Sequence, residues 1–460
     1  MKIVILAGGG GTRLFPLSRV NFPKQFLNID SDISLLSQTV NRYIGLVNPE
    51  DIVIVTNEKY YFYVKAELAK CGAKKASILS EPSGRNTAPA IALAVKYLRD
   101  ELLCEDNEIV FVAPSDQIIK PKEEFQNRLK LCEKAASLGK IVTLGVKPEK
   151  PETGYGYIKC GSEWKDGFEV EKFTEKPDSQ TAERYLQEGN YMWNSGMYCF
   201  SIQSFLEELQ KYEPEMYEVV NKYSYNALIK KFDALKSISI DYAIAERSSN
   251  VITIPLSIYW NDVGSWDSIY DYMNKDDNGN VKIGDCETVD CSNSFIMSND
   301  RLLTCVGLED TIVVETDDVI MVSKRGETQK VKDVVDKLKG RIEASEHTMC
   351  YRPWGTYKVL SQGPGYKVKK ITVNPYQSLS IQLHNHRSEH WVVIRGIATV
   401  VIGGDDARKI KKNESIYIPK QTKHKLMNME QEILEIVEVQ NGDYVGEDDI
   451  VRFEDIYGRD

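Results

Sequence analysis

Apolar residues in the first 270 or so positions gather into short unbroken runs, "IVILA", "DIVIVT", "EIVFVAP" and "KIVTLGV", each parted from the next by a longer helical stretch. Runs of that length, rich in β-branched residues, fit strands covered on both faces, so the alternation predicts βαβ units and a mostly parallel sheet. "TAPAIALAVKYLRDELL" predicts the clearest helix, with Thr87 as its N-cap and Pro89 in its first turn, where a missing N–H costs little. From about 280 to 325 the pattern shortens into "SFIMS", "RLLTCVGL" and "TIVVETDDVIMVS" between polar turns, predicting a β-rich connector without a long helix. "QKVKDVVDKLKGRI" then predicts an amphipathic helix closed by Gly340, and "EASEH" a linker. After Tyr351 apolar and polar residues alternate in "YKVKKITVN", "SLSIQLH", "HWVVIRGIATVVIGG", "ESIYIP" and "EILEIVEVQNG", the period of half-buried strands in a small barrel or sandwich. The expected organisation is an α/β domain over 1–275, a β-rich connector and helix over 276–345, and an all-β domain over 346–460.

A chain of 460 residues exceeds one ordinary core, which agrees with that division. The net charge of −10 argues against non-specific binding to nucleic acid or an anionic membrane, yet leaves room for a local basic pocket. No apolar run approaches the roughly 18 residues of a spanning helix, and the run after Lys2 is too short for a signal peptide, so the expected location is the cytoplasm. Nine cysteines without a CxxC pair fit reduced thiols rather than a disulfide framework or a zinc ribbon.

The first strand runs into Gly8, Gly9, Gly10 and Gly11, then Thr12 and Arg13, with Lys24 further on. Main-chain N–H groups of a loop without Cβ atoms can approach a polyphosphate closely, and the two cations can neutralise it. A tight turn with two surface cations fits the isolated glycine run equally well. The dinucleotide fingerprint fails because Arg13 and Leu14 stand where its third glycine belongs, and the Walker pattern fails because no Gly-Lys-Ser/Thr follows. The whole stretch "LAGGGGTRLFPLSRVNFPKQFL" resembles the signature of the sugar nucleotidylyltransferases. Together with "EPSGRNTAPAI", "VAPSDQII", "TGYGYI", "FTEKPD", "WNSGMYCF", "SIDYAIAER" and "WNDVGSW", it makes this region similar to the mannose-1-phosphate guanylyltransferases. "YRPWGTYKVL", "QLHNHRSEHW" and "GEDDIVRFEDIYGR" resemble the type II mannose-6-phosphate isomerase domain that bifunctional members carry.

That resemblance implies a Rossmann-like nucleotidyltransferase domain, a connector open to a β-helical form, and a C-terminal cupin β-barrel. It implies GTP, mannose 1-phosphate, GDP-mannose and mannose 6-phosphate as ligands and a place in polysaccharide biosynthesis, with assembly as a homodimer left open. Two other readings stay open: a guanylyltransferase whose cupin only regulates or dimerises, and a non-catalytic nucleotide-sugar sensor.

Nucleotidyl transfer needs an attacking phosphate in line with the α-phosphorus, cations on the phosphates, and carboxylates for Mg²⁺. Asp116 follows "EIVFVAP" and Asp262 follows "LSIYW", at strand ends where an α/β sheet places its ligand loops. Each alone reads as readily as a turn residue or N-cap, and the resemblance implies that both ligate Mg²⁺. It also implies that Lys176 meets the sugar phosphate, that Glu175 accepts from sugar hydroxyls, and that Gly154, Gly156 and Asn194 wall the sugar. Glu81, Arg85, Asn86 and Thr87 are the implied nucleotide-base loop, beside Arg13, Lys24 and the glycines.

Only five histidines occur in the chain, yet His384, His386 and His390 fall close together and His424 lies on a later strand end. On one strand His384 and His386 would share a face, so both imidazoles could bind one metal, with His424 folded onto them. His384, His386, Glu389 and Gly396 resemble the first cupin motif, and Pro419 to His424 with Asn428 the second, implying a divalent metal for which Zn²⁺ and Co²⁺ are candidates. Asn413 and Gln421 stand where the general cupin pattern has glycine. Aldose–ketose isomerisation needs a base between C2 and C1, for which His390 and Glu389 are rivals, while Arg387 and Arg452 are candidates for the sugar 6-phosphate.

Overall fold

The computed structural model describes residues 1–404 and 407–454, with Glu454 described only by its main chain. The residues 455–459 that end the last C-terminal motif lie outside the described residues. The chain divides into two compact units, Met1–Lys339 and Gly340–Asp460.

In the first unit a nine-stranded sheet runs in the order Ser77–Glu81, Ile52–Asn57, Lys2–Leu6, Ile109–Pro114, Tyr191–Ser201, Ile141–Val146, Val251–Pro255, Gly167–Thr174 and Tyr157–Trp164. The first four strands are mutually parallel, and the unbroken apolar runs of Ile52–Asn57, Lys2–Leu6 and Ile109–Pro114 are explained by burial on both faces. Tyr191–Ser201 runs antiparallel to both of its neighbours, so parallel order gives way to mixed order at that strand. Because Lys2–Leu6 and Ile109–Pro114 are parallel neighbours, their C-terminal ends deliver the glycine loop and the segment around Asp116 to the same side of the sheet.

The helix Thr87–Asp100 buries Ala88, Ile91, Leu93, Ala94 and Leu98 against this sheet. Its cap is Asn86, whose side chain accepts the Thr87 N–H at 2.9 Å, one residue earlier than the sequence suggests. Thr87 is thereby freed to accept the Ile240 N–H on its Oγ1 at 2.8 Å, which ties Ile240 to the start of this helix.

In the connector, Val281–Ile283, Phe295–Met297 and Thr311–Glu315 stack as parallel rungs, with Cys286–Val289 and Leu303–Val306 as a second parallel pair. This is a β-helix, closed by the antiparallel strand Ile320–Lys324 and the helix Val331–Lys337. Its core is continuous with Leu14, Phe15 and Trp266, and the buried Arg19 donates to Asp318 at 2.8 Å. The chain leaving the glycine loop is thus anchored on the β-helix.

The second unit is all β apart from short helical turns. One of these, Ile342–Ser345, occupies the stretch expected to be a plain linker, where Glu and Ala favour helix. A six-stranded and a five-stranded antiparallel sheet share one core that includes Val373, Trp391, Val400, Leu426, Leu434 and Ile436. Asn413 and Gln421 have φ of +69° and +58°, so non-glycine residues here adopt the left-handed backbone that the glycines of the general pattern supply without strain.

Candidate active site

The glycine loop is followed by a single 3₁₀ turn, Thr12–Leu14, and not by a long helix, so any anion here rests on loop N–H groups and side-chain cations. Gly11 has φ of +33°, and a Cβ on it would lie 2.7 Å from Lys24 Cβ, so glycine is what allows Lys24 to seat against the loop. A Cβ on Gly9 or Gly10 would meet nothing, consistent with a wall left open for a ligand. Arg13 stands exposed on the turn.

Lys24, only 7% exposed, joins the two predicted carboxylate segments. Its ammonium is 2.8 Å from Asp116 Oδ2 and also donates to the main-chain carbonyl of Asp262. The strand Ile118–Lys120 pairs with Tyr259–Asn261, Ile118 opposite Asn261, so one two-stranded ribbon carries both aspartates to Lys24 from positions far apart in sequence. Gln117 latches that ribbon by donating to Ser195 O at 2.7 Å and accepting from the Trp260 indole at 3.0 Å. Arg42 donates to the Gln117 carbonyl, and Thr39 donates to Ser115 O at 3.1 Å, so the Asp116 loop is held on both sides. The Tyr155 hydroxyl donates to Asp262 Oδ1 at 2.5 Å, and burial together with the charge of Asp262 keeps that phenol protonated. The carboxylates of Asp116 and Asp262 are hard oxygen donors of the kind that suits Mg²⁺, an ion that keeps several waters and takes its remaining oxygens from phosphates.

A cleft of about 540 Å³ opens beside this centre, lined by Gly8, Gly9, Gly11, Glu81, Asn86, Thr87, Asp116, Tyr198 and Asp241 among others. Glu81 is 5% exposed, its Oε1 has no hydrogen-bond partner among the described residues, and burial pushes its carboxyl up to about 7. Arg85 is drawn to Asp233 at 3.4 Å and is absent from the cleft lining.

Gly156 fits a close wall, since a Cβ there would lie 2.5 Å from Glu175 Oε2, whereas Gly154 is exposed in a turn whose N–H is taken by Glu152. Lys176 is exposed, has φ of +47° and pairs with Glu175. Asn194 does not offer a free amide: Oδ1 accepts from Thr143 at 2.9 Å and Nδ2 donates to Asp241 Oδ1 at 2.8 Å. The sequence reading missed Asp241, although it lies inside the quoted "SIDYAIAER".

In the second unit His384, Glu389 and His424 converge, each 2% exposed or less, with ligand atoms all within 4.8 Å of one another. His384 Nε2 stands 3.0 Å from Glu389 Oε1 yet makes no hydrogen bond, leaving a buried nitrogen orphaned. His424 Nδ1 lies 2.9 Å from Thr422 O, a partner that leaves Nε2 as the nitrogen facing Glu389. Although burial opposes it, the imidazoles and Arg387 hold Glu389 well below the usual carboxylate range. An orphaned imidazole nitrogen, a second imidazole and a carboxylate within one small space fit a divalent metal. Gln382, whose side-chain amide lies 3.4 Å from His424 Nε2, is a fourth neighbour that the sequence reading did not single out.

His386 and His390 do not join the cluster. The strand Ile381–His384 ends at His384 and the next begins at Arg387, so the turn between them sends His386 outward, exposed near the Tyr444 ring. His390 follows Glu389 on one strand, so the alternation that buries Glu389 exposes His390 beside Tyr417. Arg387 is buried against Glu389, Gly446 O and Asp449, and with Arg352, Lys369 and Arg452 it lines a cavity beside the cluster. Glu438 lines the same cavity, and burial followed by the charge of Glu389 pushes its carboxyl well up.

These two sites occur on a chain whose residues 2–279 match the nucleotidyl transferase family model, 284–338 the MannoseP isomerase/GMP-like beta-helix domain, and 339–455 the mannose-6-phosphate isomerase C-terminal model. The xanthan biosynthesis protein XanB of Xanthomonas campestris pv. campestris is 44% identical, over 99% of this chain and 98% of its own length. The chain belongs to the bifunctional mannose-1-phosphate guanylyltransferase/mannose-6-phosphate isomerase family. Another relative, the mannose-1-phosphate guanylyltransferase of Escherichia coli, is 40% identical over 99% of this chain and 98% of its own length. A crystal structure of mannose-1-phosphate geranyltransferase from Thermus thermophilus, 29% identical, superposes with a TM-score of 0.67 over 74% of this chain and 99% of that one. Family membership accounts for the three successive architectures, and no helix among the described residues is long and apolar enough to cross a membrane.

Proposed function

We propose that the first unit transfers GMP from GTP to α-D-mannose 1-phosphate, giving GDP-mannose and pyrophosphate, and that the second interconverts mannose 6-phosphate and fructose 6-phosphate. The observation that carries the first half is Lys24 seated between Asp116 and Asp262 at a glycine-walled cleft. A phosphate oxygen of mannose 1-phosphate bonds to the α-phosphorus, the bond to the bridging oxygen breaks, and pyrophosphate leaves with the electron pair. Lys24 and Arg13 offset the phosphate charge, and Lys176, an exposed flexible point cation, turns from Glu175 to the sugar phosphate. Asp116 and Asp262 would hold Mg²⁺, which would supply further charge neutralisation on the triphosphate. Pyrophosphate release from GTP and mannose 1-phosphate, compared with ATP, is the direct test.

Glu81 suits guanine, whose N1–H and 2-amino group both donate to a carboxylate, while adenine offers an acceptor at N1 and only a C–H at C2. The carboxyl is raised in the free protein, so it is protonated below about pH 7 and must ionise to accept both donors. The apparent KM for GTP should therefore fall as pH rises from 6 to 8, changing about tenfold per unit below the pKa. Glu81→Gln should flatten that dependence at saturating Mg²⁺ and raise the KM for GTP roughly 10- to 100-fold at pH 8. A pH slope unchanged in the variant would remove Glu81 from base recognition.

For the second half, the buried His384, Glu389 and His424 beside a cavity with four basic side chains support a metal-assisted isomerase that holds a sugar phosphate. A divalent metal there, Zn²⁺ and Co²⁺ being the candidates, would stabilise negative charge developing on the substrate oxygen. The outward His390 is unsuited to act as base, whereas Glu438 faces the cavity as a second buried carboxyl.

The two activities do not meet directly, because one uses mannose 6-phosphate and the other mannose 1-phosphate. Purified protein given GTP, Mg²⁺, the isomerase metal and fructose 6-phosphate should yield mannose 6-phosphate, and GDP-mannose only after a phosphomutase is added. Chromatography of the nucleotide products checks this, and GDP-mannose without the mutase would reveal a third activity.

A further inference from the structure

We propose that the carboxylate of Asp241 receives a hydroxyl of the hexose 1-phosphate and so helps select the sugar in guanylyl transfer. This rests on the guanylyltransferase reading and adds to it a specificity-determining residue. Asp241 opens the π-helical turn Asp241–Ala245 and lines the cleft together with Tyr198, Gly196 and Ile240. Single π turns are uncommon and concentrate at functional sites. Its Oδ1 takes two hydrogen bonds, from the Tyr198 hydroxyl at 2.6 Å and from Asn194 Nδ2 at 2.8 Å. Both donors are buried, and burial with the charge of Asp241 keeps the Tyr198 proton in place, so the carboxylate is oriented by two buried donors. Among the described residues nothing donates to Oδ2, which leaves one oxygen of an oriented carboxylate free to accept.

The surroundings name the ligand. Asn194 N donates to Gly156 O at 2.8 Å, and Gly156 packs on Glu175, so Gly156, Glu175, Asn194 and Asp241 form one connected group. Glu175 is raised by its burial and then by the charge of Asp241, so a second carboxylate stands close to the one that lines the cleft. Neighbouring carboxylates repel a phosphate but suit a neutral ring whose hydroxyls donate, while Lys176 beside Glu175 suits the phosphate of the same molecule. A hexose 1-phosphate has both ends.

Asp241→Asn is the decisive variant, because its amide oxygen still accepts from Tyr198 and Asn194 while an NH₂ replaces Oδ2. The variant should keep the wild-type Tm and a KM for GTP within about twofold, and lose roughly 10- to 100-fold in kcat/KM for mannose 1-phosphate. Assayed with 2-, 3-, 4- and 6-deoxy mannose 1-phosphates, wild type and variant should converge on the analogue that lacks the hydroxyl bound by Asp241. An equal penalty on all four analogues, or a KM for GTP rising in step, would overturn the proposal. Wild-type protein that releases no pyrophosphate from GTP and mannose 1-phosphate would sink the guanylyltransferase reading itself. An active wild type matched by Asp241→Asn on every sugar would sink only this inference.

Discussion

Asp262→Ala should abolish GDP-mannose formation, by about 1,000-fold or more, and leave the isomerase rate unchanged. A lost metal ligand removes several kcal/mol of charge stabilisation from the transition state, and each 1.36 kcal/mol is about tenfold in rate. The alanine also strips partners from the Tyr155 hydroxyl and the Gly264 N–H, which donate to Asp262 Oδ1 at 2.5 and 3.1 Å. Asp262→Asn separates the two effects, since its amide oxygen accepts both bonds and only the charge is lost. The contact from Lys24 survives either change because it goes to the main-chain carbonyl. A loss shared by both variants, with a shifted Mg²⁺ titration, is the expected result. Near-normal transfer by Asp262→Asn at saturating Mg²⁺ would remove Asp262 from the metal.

The second large effect belongs to Glu389. Glu389→Gln should release the metal and lower the isomerase rate by about 1,000-fold, while GDP-mannose formation from mannose 1-phosphate continues. The isosteric amide is the better probe here. Alanine would leave Arg387, Trp391 and Gln440, which donate to this carboxylate at 3.1 to 3.2 Å, facing a void in the core. Removing one partner of such a buried charged pair costs about 3–5 kcal/mol and threatens the barrel itself. Metal content per chain, measured on purified protein, should fall with Glu389→Gln and His384→Ala. His386→Ala and His390→Ala, both at exposed positions, should keep the metal and stay within about twofold of wild-type isomerisation. Loss of metal in His386→Ala would restore the pairing of His384 with His386.

The difference between those histidines marks how far sequence reasoning reaches. His384 and His386 share a face only while one strand contains both, and that strand ends at His384 because the chain turns before Arg387. The same alternation, applied within the strand Arg387–Arg395, correctly separates inward Glu389 from outward His390. Gln382 is inward by that alternation, two residues before His384, and could have been found by extending the period backwards. Asp241 carried no such signal. Its neighbours Tyr198 and Asn194 come from another strand, and a π turn leaves no periodic trace.

What the sequence determined by itself is local and periodic. Unbroken apolar runs specified strands buried on both faces, alternation specified the barrel strands, and the four glycines specified a loop bare of side chains, because each depends on neighbours along the chain. Only the tertiary structure decided which distant groups meet. Lys24 reaches Asp116 and the Asp262 carbonyl because two short strands pair across more than a hundred residues of chain. His424 reaches Glu389 because its strand closes the barrel beside Ile381–His384. Burial then set the chemistry of these groups, pushing the Glu81 carboxyl up and leaving His384 with a nitrogen orphaned among the described residues. Desolvation and pairing depend on what packs around a side chain, and that is known only once the chain has folded.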